Sequence, residues 1–120
     1  MAVMTVPDVE QIYVHPTGSD EDISFQQVVR SHRLMGRFGC GSHFVITRDG
    51  EIHRGRELTQ PGVGMPGGNN RSTVGIQLVA GESLTAPQDA SLSRLVEILS
   101  TIYPDAALVE SETAPRQTDL

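Results

Sequence analysis

Tryptophan is absent from these 120 residues, while 12 glycines and seven prolines interrupt the chain. That balance predicts a modest core under a loop-rich surface. Cysteine occurs once, as Cys40, which excludes an internal disulfide framework and any multi-cysteine zinc module. Basic residues are few, nine Lys and Arg against 15 Asp and Glu, for a formal net charge of -6. Binding to nucleic acid or to an anionic membrane is therefore disfavoured, and a basic protein partner is easier to attract. Long apolar runs are also lacking, and Met1 to Pro7 has no cationic stretch followed by a hydrophobic one. Neither a membrane span nor a secretion signal is expected. What remains, 38% hydrophobic and 20% charged residues, is the composition of one globular domain, 1–120, with a core at about 11–109 and a polar tail at 110–120.

The pattern of elements can be read in order. Ile12-Tyr13-Val14-His15 is a short β-branched and aromatic run closed by Pro16 and Gly18, and reads as a core strand ending at His15. Ser24 and Gln27 have the spacing of a capping box, and Phe25, Val28, Val29 and His32 then fall on one helical face ended by Gly36. His43 to Thr47, the turn Arg48-Asp49-Gly50 and Glu51 to His53 form a hairpin signature, since Asp-Gly supplies the dihedrals a tight turn needs. From Gln60 to Ser72 glycine, proline and asparagine dominate, as in a long surface loop. Val74 to Val79 reads as a buried strand. Thr85 and Gln88 repeat the capping box ahead of a stripe of Leu92, Leu95, Val96, Leu99 and Ile102 that Pro104 terminates. Ala106 to Val109 reads as a last short strand.

Four pieces carry more information than the periodicity: Gly41-Ser42-His43-Phe44-Val45-Ile46-Thr47-Arg48-Asp49-Gly50, Gly55-Arg56, Asn70-Arg71-Ser72-Thr73-Val74-Gly75-Ile76 and Glu112-Thr113-Ala114-Pro115. In this order and spacing they resemble the N-acetylmuramoyl-L-alanine amidases of bacteriophages and the related peptidoglycan-recognition fold, over roughly Gln11 to Asp119. The resemblance implies an α/β fold with a mixed central sheet flanked by helices. It also implies zinc, held in that family by a histidine at the end of the first strand, a second histidine after the last strand, and a cysteine or aspartate shortly after. Three protein ligands with one open position let the metal polarise an amide carbonyl and activate water.

The matching positions in this sequence are mostly occupied by other residues. His15 matches the first ligand, Glu110 the second, and Thr118 or Asp119 the third, so a surviving site would be His15, Glu110 and Asp119. The tyrosine of the phage enzymes is matched by Ser42, which lacks the reach and acidity of a phenol. Their oxyanion-stabilising lysine is matched by Arg116 or Gln117, and the loop histidine by Gly64 or Met65. These departures gather at the chemistry, whereas the glycines, caps and strands match.

A non-catalytic chain with no cofactor is the expectation, acting in a structural or interaction role through protein partners such as virion tail or baseplate components. The opposing readings are a zinc amidase using His15, Glu110 and Asp119, a peptidoglycan-binding module, or a module that binds RNA polymerase, as some phage relatives do. Alternation sets His43 on the face opposite Ser42 and Phe44, for packing or hydrogen bonding within the sheet. His32 is expected to pack on its helix face, His53 to face solvent, and Cys40 to serve as a small residue in a tight connection. Neighbouring Ser42 and His43 face opposite ways, and no nucleophile elbow is present, so a serine-hydrolase triad is disfavoured.

Overall fold

The computed structural model describes residues 9–19, 21–35, 40–63, 65 and 69–111. Its elements run β1 (Gln11–Pro16), α1 (Phe25–Leu34), β2 (Phe44–Ile46), β3 (Ile52–Arg54), β4 (Thr73–Leu78), α2 (Ala86–Ile102) and β5 (Ala107–Glu110). Both helices begin where the capping boxes place them. The Ser24 hydroxyl accepts the Gln27 N–H at 3.2 Å while the Gln27 side chain accepts the Ser24 N–H at 2.8 Å. Thr85 and Gln88 make the same reciprocal pair at 3.2 and 3.0 Å, so donors that a helix start leaves unpaired are satisfied locally.

The five strands form one sheet in the order β3-β2-β4-β1-β5. β2, β4, β1 and β5 are parallel to one another, and β3 closes the hairpin antiparallel to β2. Central parallel strands are covered on both faces, which is why Thr73–Leu78 is buried at every position. On one face Ile12, Val14, Phe44, Ile46, Val74, Ile76 and Leu78 pack with Leu95, Leu99 and Tyr103 of and beyond α2. Each fully buried side chain of this kind contributes about 1.5–3 kcal/mol of transfer free energy. Val28 of α1 closes a smaller cluster with Cys40, Val45 and Val79 on the other face.

The hairpin turn docks against the start of α2. Thr85 donates its hydroxyl to the Arg48 carbonyl at 2.7 Å, and Ser91 donates to the Gly50 carbonyl at 2.5 Å. Gly50 has φ +84°, and a Cβ there would lie 2.7 Å from the Pro87 carbonyl oxygen, so dihedral and space both require glycine. Within the turn the Thr47 hydroxyl donates to Asp49 at 2.6 Å, which holds that carboxyl below its usual range. Gln88, fully buried, does more than cap: its Nε2 donates to the carbonyls of Val79 at 3.0 Å and Ile46 at 3.3 Å.

Two expectations shift. The last strand extends to Glu110, because Ala107–Glu110 pairs in register with Gln11–Val14. Glu110 therefore belongs to the sheet instead of opening the tail. The stretch 60–72 is not simply a surface loop, since Gly62 and Met65 are buried within it. Asn70 supplies what a strand partner would, accepting the Gly62 N–H on its carbonyl at 3.1 Å and the Met65 N–H on its side chain at 3.0 Å. α1 ends at a Met35 cap, and Gly36 lies outside the described residues. Among the described residues no helix is long and apolar enough to cross a membrane.

Candidate functional site

His15 stands near the C-terminal end of β1, level with Gln77 on the neighbouring strand β4. Tyr13, two residues earlier, shares its sheet face, and the two rings stack with centroids 5.0 Å apart at 11°. The Nε2 of His15 lies 3.2 Å from the Ser42 hydroxyl, a contact across 27 residues of chain. Ser42 sits in the bend that leads into β2 and is 1% exposed. The fold thus brings together one candidate ligand position and one candidate catalytic position.

The Ser42 bend is held by its neighbours. His43, fully buried, accepts the Gly75 N–H on Nδ1 at 3.1 Å. That acceptor role assigns the ring proton to Nε2, which donates to the Gln60 carbonyl at 2.7 Å. Burial pushes the imidazole pKa below its ordinary value, helped by the Arg56 charge and opposed by the bond to Gln60. A neutral His43 therefore bridges β2, β4 and the loop after the hairpin, in the sheet-bonding role that strand alternation indicated. Arg56 adds a second brace, donating from Nε to the Cys40 carbonyl at 3.0 Å and from a terminal nitrogen to the Pro61 carbonyl at 3.1 Å. Gly55 precedes it because a Cβ there would sit 2.5 Å from both the Cys40 sulfur and the Ser42 carbonyl oxygen.

The other candidates are placed as follows. Glu110 ends β5 level with Val14, whose side chain is buried on the α2 face. A regular pleat sets it on the sheet face opposite His15. Asp119, Thr118, Arg116, Gln117 and Gly64 lie outside the described residues. Met65, at the other position matched to the loop histidine, is buried against Gly75. His32 is buried on its helix face and accepts the Gly41 N–H on Nδ1 at 2.9 Å, tying α1 to the Ser42 bend. His53 does not face solvent: it is level with Val45 on the α1 side, its ring stacks on Phe25 at 4.9 Å, and Nε2 lies 3.2 Å from the Thr47 hydroxyl. Cys40 is buried in the tight connection beside Gly55.

Among the described residues no three His, Cys, Asp or Glu side chains are grouped to hold a metal. Within the described residues His15 meets the Ser42 hydroxyl while the strand register sets Glu110 on the other sheet face, so these two side chains do not form a zinc site together. Arg56 and Gln77 are the residues that sequence reasoning passed over. The Gly55-Arg56 pair was visible as a motif without a role, whereas Gln77 in an otherwise apolar strand was a polar residue at a position that burial makes costly.

The mixed sheet with a helix on each face matches the amidase and peptidoglycan-recognition class of α/β folds. Bumblebee PGRP-SA superposes with a TM-score of 0.78 over 93% of this chain and 74% of its own, and at 16% identity that likeness concerns the fold. The family model for N-acetylmuramoyl-L-alanine amidase matches residues 5–114. The endolysin of Klebsiella phage KP32 is 30% identical over 120 residues, covering 91% of this chain and 79% of the relative. The endolysin amidase LysCS of Clostridium intestinale is likewise 30% identical, with a TM-score of 0.79 over 98% of this chain and 78% of that one. This chain belongs to the N-acetylmuramoyl-L-alanine amidase family and is similar to phage endolysins.

Proposed function

We propose that this chain is a peptidoglycan-binding domain of the amidase family that does not hydrolyse the lactyl-alanine amide. The observation that carries the reading is the 3.2 Å pairing of His15 with Ser42, where the phage enzymes that the sequence resembles place a tyrosine. A serine hydroxyl there, already engaged by the imidazole, is too short and too weakly acidic to serve a developing oxyanion. Losing one oxyanion donor costs an enzyme about 10²–10³ in rate, and Glu110, at the position matched to the second metal ligand, lies level with Val14 on the sheet face opposite His15. The braces around Ser42, by contrast, keep the shape of the face on which a glycan-peptide would lie.

Purified sacculi, incubated with the chain and added zinc, test this directly. The expected outcome is co-sedimentation of the protein without release of free stem peptides. Release that disappears in His15→Ala overturns the non-hydrolytic reading and assigns zinc chemistry to His15 with residues beyond Ser111. Absence of both release and co-sedimentation overturns the peptidoglycan reading and leaves a protein partner, such as a virion component.

A further inference from the structure

We propose that Tyr13 binds the peptidoglycan ligand directly, its phenol hydrogen-bonding an amide group of the glycan-peptide, a step that rests on the peptidoglycan-binding reading of the His15 face. The two faces of β1 differ in cover. Toward α2 the strand is sealed, with Ile12 0% and Val14 2% exposed. Toward α1 it is open: Val28 packs with Val45 and Val79 over the β2 and β4 half of the sheet, while Gln11, Tyr13, His15 and Val109 in the β1 and β5 half are each only half-buried. Register sets Tyr13 level with Gly75 on one side and Val109 on the other. The space a side chain at Gly75 would fill is taken by the Met65 methyl, 2.6 Å from where a Cβ would lie.

Strand side chains stand roughly perpendicular to the sheet, so the hydroxyl at the tip of the ring is the part of Tyr13 farthest from the backbone. Stacking on His15, 5.0 Å between centroids at 11°, holds the ring parallel to the imidazole that meets Ser42. Among the described residues nothing hydrogen-bonds the Tyr13 hydroxyl, and solvent reaches its oxygen. Its neighbours on this face are already engaged, His15 with Ser42 and the Gln11 oxygen with the Thr73 hydroxyl at 3.2 Å. A packed ring with a wet polar tip is the arrangement tyrosine takes at binding surfaces. A phenol both donates and accepts, and the surrounding Gln11, Ser42, Thr73 and Val109 bring no charge. A neutral group with a carbonyl and an N–H, which is an amide, therefore matches it better than an ion does.

Co-sedimentation isotherms of the full chain with purified sacculi are compared for wild type, Tyr13→Phe and Tyr103→Phe. The chain has two tyrosines, and Tyr103 is buried in the cluster on the α2 side, so its variant is a matched control for losing a phenol from the other face. Tyr13→Phe keeps the ring and its stacking on His15. Its Tm should stay within error of wild type while binding weakens about three- to tenfold, the range for one lost hydrogen bond. Tyr103→Phe should bind as wild type does. Wild-type binding that Tyr13→Phe leaves unchanged or tightens would overturn the role of Tyr13 and leave the peptidoglycan reading standing. Equal weakening in both variants would overturn it too, as would a loss seen in Tyr13→Ala and not in Tyr13→Phe, which assigns the ring to packing alone. Failure of the wild-type chain to sediment with sacculi overturns the role and the reading together.

Discussion

Replacing His43 by alanine removes a fully buried ring together with its bonds to the Gly75 N–H and the Gln60 carbonyl. The two hydrogen bonds are worth about 1 kcal/mol each, and the stranded Gly75 donor adds a desolvation cost of similar size or larger. The cavity left by the ring brings the total to about 4 kcal/mol, within the range for large buried side chains truncated to alanine. At an unfolding entropy of about 2.1 cal/mol/K per residue, a chain of 120 residues should lose about 16 °C in Tm by differential scanning calorimetry. A second signature separates His43 from a generic core deletion. Its folded pKa lies below the unfolded value near 6.5 because burial disfavours the cation. The unfolded chain therefore takes up a proton that the folded chain refuses. Wild-type stability should be undiminished by this group above about pH 6.5 and should fall as the pH drops from there through the folded pKa. His43→Ala should lack that component, so the gap between wild type and variant narrows on acidification. A Tm loss below about 4 °C, equivalent to roughly 1 kcal/mol, or a gap that widens on acidification would refute the bridging role.

Gln88→Leu removes the donors to the Ile46 and Val79 carbonyls and the acceptor for the Thr85 N–H; about 3 kcal/mol should be lost, read as a lower urea midpoint with an unchanged slope. Gly55→Ala forces a methyl to 2.5 Å from the Cys40 sulfur and the Ser42 carbonyl. It should destabilise by about 2 kcal/mol and displace Ser42 from His15, seen as a changed His15 ring environment by NMR, while a silent substitution would show the bend to be compliant.

Much of the fold was legible because its signals are local. A hydroxyl three residues before a glutamine satisfies helix donors wherever it occurs, so both helix starts could be placed from Ser24, Gln27, Thr85 and Gln88. The Asp49-Gly50 turn is equally local, since its backbone requirement is met by one residue type. The fate of the histidines was less uniform. His43 could be assigned from alternation, because a two-residue period needs only the strand that bears it. His53 could not, because its stacking on Phe25 depends on where α1 crosses the hairpin.

The relation of His15 to Glu110 depends on pairing between β1 and β5, strands separated in the chain by three others and both helices. One-residue differences in that register exchange sheet faces. The meeting of His15 with Ser42, the bracing of the bend by Arg56 and the orphaned oxygen of Gln77 likewise arise only when distant segments pack. Composition and periodicity specify which residues are buried and which turns close, since those are properties of neighbours. Which polar groups find partners is settled by contacts across the sheet, where the Gln77 side-chain oxygen is buried and left without one.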